Sequence, residues 1–172
     1  MNGKKTVFAR NCCVRKIDKA LADSFLSENH LFGTAASRYR YGLFIARNGK
    51  HSSQFPEGTL VAVALFSAPR NWTKDGRTVR SYEWVRYASL NDWRICGGMG
   101  KILQHFIDEK HPDDIMTYAP APFEGTVYHT LGFVEEGIKD FGNGNYSRKF
   151  RLTLFPPLSE VAPPGIEPGS TV

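Results

Sequence analysis

Residues 94–101, RICGGMGK, hold three glycines, Gly97, Gly98 and Gly100, where a strand-like stretch gives way to a helical one. Glycine lets backbone N–H groups come close to a phosphate, and a helix N-terminus adds about half a unit of positive charge there. Arg94 and Lys101 add cations to the same run. Neither the Walker spacing G-x-x-x-x-G-K-[ST] nor the dinucleotide spacing G-x-G-x-x-G is present, which argues against ATP and NAD. The run also fits a glycine-rich helix start with no ligand, and the glycines alone do not choose between the two.

The elements that must position this run are legible from apolar spacing. Residues 81–89 (SYEWVRYAS) are aromatic and β-branched, which predicts the strand leading into the glycines. The helix that follows is expected over about Gly98–Lys110, with Ile102, Leu103, Phe106 and Ile107 as its apolar stripe and His111-Pro112 as its stop. Next come a short strand at 114–119, a short helix at 125–131 with Val127, Tyr128 and Leu131 on one face, and strands at 133–137 and 146–154. In the last strand Tyr146, Phe150, Leu152 and Leu154 alternate with Ser147, Lys149, Arg151 and Thr153. Upstream, residues 40–47 and 59–68 read as antiparallel partners, the second apolar enough to be buried on both faces. Ile17, Ala20, Leu21, Ser24 and Phe25 recur at helical spacing, with Asp18 as the N-cap. Residues 48–58 and 69–81 read as loops, the second around Asp75-Gly76. The order is strand, helix, two or three antiparallel strands, helix, strand, short helix and final strands: an α+β chain with one central mixed sheet.

A chain of 172 residues with 41% hydrophobic and 13% aromatic content is long and apolar enough for one packed domain. That domain is expected over 1–154; residues 155–172 hold five of the ten prolines and no apolar period, which reads as a disordered tail. Residues 1–154 carry all 22 Lys and Arg but 15 of the 17 acids, leaving the body at +7. Such a body attracts nucleic acid or a phosphorylated cofactor, and serves solubility equally well. Cys12, Cys13 and Cys96 have neither a zinc spacing nor an even count, so no metal site or disulfide framework is expected. With no apolar run of about 18 residues and no apolar stretch at the N-terminus, neither a membrane span nor a signal peptide is expected. The reading is a soluble, cytoplasmic protein.

Taken in order, SYEWVRYAS, RICGGMGK, the helix to Lys110, DIMTYA and VYHTLGF resemble the GNAT acyl-CoA N-acyltransferase family. There a strand leads to a Q/R-x-x-G-x-G/A loop that holds the CoA pyrophosphate, followed by a helix, a strand and a short helix ending in Y-x-x-x-G-F. Two registers fit the loop. Arg94 stands three before Gly97, but the next expected glycine is then Met99; aligning on Gly98 and Gly100 puts Ile95 in the Q/R position. The resemblance implies a three-layer α/β/α fold with a mostly antiparallel sheet, and acetyl-CoA or another acyl-CoA as co-substrate for an amine acceptor. The implied cofactor contacts are the amides of residues 97–101, that is Gly97, Gly98, Met99, Gly100 and Lys101, with Arg94 beside them. The pantetheine arm would lie along Tyr87, Ala88 and Ser89. Tyr128 falls where the family places a tyrosine near the CoA sulfur, and a phenol of pKa about 10 can protonate a departing thiolate; its other reading is a core residue. Glu83 and His30 are the implied candidates for the general base, against structural readings of each, while His105 beside Phe106 reads as structural.

A narrower resemblance rests on NHLFG, YRYGLF, YEWVRYAS and TYA followed by GTVYHTLGF. These look like the Mom-type branch of GNAT relatives, phage and mobile-element proteins that modify adenine in DNA, with His30 and Tyr118 at matching positions. That branch has an aspartate after the Tyr-Ala of the fifth strand, where this chain has Pro120. The departure leaves open a different acceptor, or a remnant of the fold without activity.

Overall fold

The computed structural model of the chain describes residues 5–47, 55–120 and 123–155. Its elements run β1 (Lys5–Phe8), β2 (Cys12–Lys16), α1 (Lys19–Asn29), β3 (Tyr39–Ile45), β4 (Leu60–Phe66), β5 (Arg70–Lys74) and β6 (Arg77–Ser89). They continue with β7 (Trp93–Cys96), α2 (Gly98–Lys110), β8 (Asp114–Pro120), α3 (Thr126–Thr130), β9 (Val134–Asp140) and β10 (Tyr146–Thr153). Among the described residues eight strands form one sheet in the order β2-β3-β4-β6-β8-β10-β9, with β5 beside β6; β1 and β7 form a separate pair. Neighbours in the large sheet are antiparallel except β6 and β8.

β4 shows why the fold has three layers. From Val61 to Phe66 every side chain is buried, because both faces of the strand are covered. Val63 and Leu65 pack against Ala22, Phe25 and Leu26 of α1, while Ala62, Ala64 and Phe66 share a core with Ile102, Leu103 and Phe106 of α2. The continuous apolar run therefore means burial on both sides, as its sequence suggests. Asp18 caps α1 by accepting the Leu21 amide at 2.8 Å, and α2 ends at His111 in the left-handed region, ahead of Pro112.

Residues 69–81 are not a loop. Asp75 and Gly76 sit at φ of 51° and 78°, the pair of positive angles that a two-residue hairpin turn with native strand twist requires. β5 and the start of β6 are the arms of that hairpin, so β6 begins at Arg77 rather than at residue 81. Polar side chains on a hairpin standing clear of the core had looked like loop composition. The stretch before the glycines is also a strand: β7 pairs in parallel with β1, setting Arg94 opposite Thr6. Parallel pairing between segments so far apart in the chain leaves no local signature. The expected tail lies outside the described residues apart from Phe155, whose ring sits 4.1 Å from the Arg77 guanidinium; residues 48–54 of the expected loop lie outside them too.

Candidate functional site

The parallel ladder between β6 and β8 lasts three rungs, Ser81 to Asp114, Tyr82 to Ile115 and Glu83 to Met116. Two features end it. Opposite Leu65 and Phe66 the register of β6 slips, so that Leu65 faces Arg86 but Phe66 faces Trp84, and Val85 is the extra residue. Such a bulge bends its strand and reverses which residues face each side. Meanwhile β8 continues straight along β10 as far as Pro120 opposite Ser147. The strands part at Trp84, whose carbonyl takes the Thr117 hydroxyl at 2.9 Å. Beyond that point the β8-facing edge of β6 is open, and the opening is a cleft of 640 Å³.

Tyr87, Ala88 and Ser89 line the cleft on one wall and Thr117, Tyr118, Ala119 and Pro120 on the other. His30 closes one side from the end of α1, and Tyr128 the other from α3. α3 is held close to β10 through Gly125, at φ 73°, where a β-carbon would stand 2.6 Å from the Phe150 ring. The Tyr128 ring packs against Phe150 and Phe133 at 5.4 and 5.6 Å. Burial raises its pKa, and hydrogen bonding with Thr117 only partly offsets that.

The glycine run divides into parts with different duties. Gly97 is the left-handed N-cap of α2 and Gly98 its first residue. The amides of Gly98, Met99 and Gly100 thus belong to the first turn, where no earlier carbonyl of the helix can take them. The Lys101 amide already donates to Gly97 O at 3.0 Å. Its ammonium donates to the carbonyls of Ala9 and Cys12 at 2.9 and 2.6 Å, tying α2 to the turn between β1 and β2. Lys101 therefore anchors the N-terminal segment. Of the run, Met99 lines the cleft; Arg94 is exposed on β7, outside the lining. Gly98 is needed for packing as well, since a β-carbon there would lie 2.7 Å from the Tyr87 hydroxyl and 3.0 Å from Ile95.

His30 and Glu83 fare differently as bases. The Phe32 amide donates to His30 Nδ1 at 3.0 Å, so the neutral ring carries its proton on Nε2 and offers a donor rather than a base. Burial and then the charge of Arg86 lower its pKa, keeping it neutral. Glu83 sits on the last shared rung of β6 and β8 and is not part of the cleft lining; its amide donates to Ser67 Oγ at 2.9 Å. His105 lies on α2 against Tyr41 and Glu109, outside the lining. Arg86 and Thr117 went unread in the sequence, because the bulge at Val85 decides where Arg86 points and the parting of β6 from β8 decides what Thr117 meets. Among the described residues no group of three or more His, Cys, Asp or Glu could hold a metal, and no helix is long and apolar enough to cross a membrane.

The fold that holds this cleft is shared with solved acetyltransferases. The histone acetyltransferase HPA2 and related acetyltransferase from Corynebacterium glutamicum superposes with a TM-score of 0.59 at 15% identity over 86% of this chain and 99% of its own. The chain has the GNAT fold. The ribosomal-protein-S18-alanine N-acetyltransferase of Escherichia coli matches this chain with a TM-score of 0.58 at 16% identity, over 88% and 99% of the two chains. The Salmonella typhimurium protein yncA, solved with its cofactor acetyl-CoA, gives 0.54 at 16% identity over 90% and 98%. No protein-family model matches the chain, and no curated protein matches it.

Proposed function

We propose that the chain is an acyl-CoA-dependent N-acyltransferase that moves an acyl group, acetyl in the simplest case, directly from CoA to an amine. The observation that carries this reading is the splay between β6 and β8, open along residues 87–89, with the first turn of α2 at one end and Tyr128 in the wall. The pyrophosphate of the co-substrate would take the amides of Gly98, Met99 and Gly100 and the positive end of the helix. The pantetheine arm would pair with the unused edge of β6, and its thioester would lie beside Tyr128. The neutral amine attacks the thioester carbonyl, the C–N bond forms and the C–S bond breaks. The amine proton leaves to water in the open cleft, and Tyr128 gives its proton to the thiolate.

Gly100→Asp is the sharper test than any change at Gly98, because a β-carbon at Gly100 meets only Leu131, at 3.4 Å. An acid in the first helical turn favours the helix but repels the pyrophosphate. Calorimetry should find acetyl-CoA binding to the parent and a loss of roughly tenfold or more in the variant, about the effect of one lost charge-assisted contact. A parent that does not bind acetyl-CoA ends this reading.

A second reading, with an adenine amine of DNA as acceptor, draws on Arg70, Lys74, Arg77 and Arg80, which share the β5–β6 hairpin. It requires retention on duplex DNA at about 0.15 M salt, with affinity falling steeply as salt rises. Equal, weak binding to any polyanion counts against it.

A further inference from the structure

Among the described residues, one cation in the cleft wall has no counter-charge. Arg86 follows the bulge in β6, half-buried in the lining. Its Nη1 donates to the neighbouring Val85 carbonyl at 3.1 Å, while its Nε is buried without a partner. No described carboxylate pairs with it. Leaving a guanidinium N–H buried and unpaired costs on the order of 1–3 kcal/mol, a cost that a small turn of the side chain toward an oxygen anion in the cleft would remove. Beside it His30 presents an Nε2 donor, its Nδ1 being taken by the Phe32 amide. The carboxylates of the lining, Asp92 and Glu124, are both exposed, so the charge sunk into the wall is positive. Around the same opening stand four apolar side chains in water: Leu31 at 74% exposure, Phe123 at 52%, Phe32 at 51% and Val127 at 42%. Apolar groups gathered at a cleft mouth mark a contact surface for an apolar ligand.

We propose that Arg86 and His30 form the anion subsite for the acceptor, so that the amine acylated here carries a carboxylate or phosphate on an apolar body. This assignment of an acceptor rests on the acyltransferase reading, but the subsite itself can be measured without turnover. Arginine is suited to it because its planar fork meets carboxylate and phosphate oxygens two at a time. The apolar body would lie among Leu31, Phe32, Phe123 and Val127, with the amine directed toward the thioester beside Tyr128.

The full chain and its Arg86→Gln and Arg86→Met variants are titrated with phenylacetate, phenyl phosphate and neutral phenylacetamide, following the His30 imidazole and the guanidinium Nε–H by NMR. The expected result is binding of the anions over the amide, with a roughly 10- to 150-fold loss in both variants, as for one charge-assisted pair. Tighter binding of phenyl phosphate assigns a phosphorylated acceptor, and tighter binding of phenylacetate a carboxylate. Equal affinity for anion and amide, unchanged affinity in the variants, or no binding of any probe overturns the proposal. Acetyl-CoA is titrated into the same samples. A variant that keeps acetyl-CoA binding is folded, and a parent that binds the anions but not acetyl-CoA retains the subsite and loses the acyltransferase reading instead.

Discussion

Tyr128→Phe is expected to lower kcat roughly 10²- to 10⁴-fold, the usual yield of a positioned general acid, with acetyl-CoA affinity unchanged. The variant keeps the ring that packs on Phe133 and Phe150, so the fold is retained and only the hydroxyl is lost. Burial raises the pKa of this phenol, which keeps it protonated at neutral pH, where an ordinary carboxylic acid would already have lost its proton. The sign of the pH dependence follows. Activity should hold to beyond the ordinary phenol value of about 10 and fall only above it, and the residual rate of the variant should lack that limb. The stability contributed by keeping the phenol neutral is likewise complete below about 10 and lost as pH rises through the raised value. Steady-state kinetics across pH, with thiol release as the signal, measure both. An unchanged kcat would make Tyr128 a packing residue, and binding of acetyl-CoA with no turnover by the parent on any amine would leave a fold without activity.

Arg151→Met should cost about 3–5 kcal/mol of stability, the penalty for orphaning a buried partner, and lower Tm by roughly 6–20 °C for a domain of this size. Asp114 is fully buried at the first rung between β6 and β8. It accepts from the Ser81 hydroxyl across that rung and pairs with Arg151 Nη1 at 2.9 Å. Arg151 also holds Glu136 of β9 through Nε at 2.9 Å and lies 5.3 Å from the Trp72 ring. One guanidinium thereby ties β8, β9, β10 and the hairpin together just below the point where the cleft opens. Adding Asp114→Asn to the variant should restore part of the loss, since the orphaned group is then neutral. Thermal and urea unfolding give the comparison. A loss below about 1 kcal/mol, the range of exposed pairs, would show that the pair is solvated in solution and does not pin the splay.

The local signals in this chain were strong where one element could bury itself by its own pattern. The Asp18 cap, the apolar stripe of α2 and the all-apolar β4 each follow from side-chain spacing and turned into the elements they implied; the last strand formed too, but a bulge between Lys149 and Phe150 breaks its expected alternation, burying Ser147 and exposing Tyr146. The central mixed sheet followed from their order, and its helices on both faces from the family resemblance. The glycine run also had to start a helix, whatever it binds.

Tertiary structure decided what those elements do. A one-residue bulge at Val85 reverses the facing of everything after it, bringing Trp84 and Tyr87 into one core and Arg86 to the cleft, and alternation alone would have put Trp84 and Arg86 on one face. Lys101 looked like a phosphate ligand beside its glycines, yet two carbonyls some ninety residues earlier hold its ammonium. His30 looked like a base, but an amide two residues away fixes its proton on the other nitrogen. Spacing along the chain sets which residues can share a face; register between strands and the partners met across the fold set which atoms remain free to do chemistry.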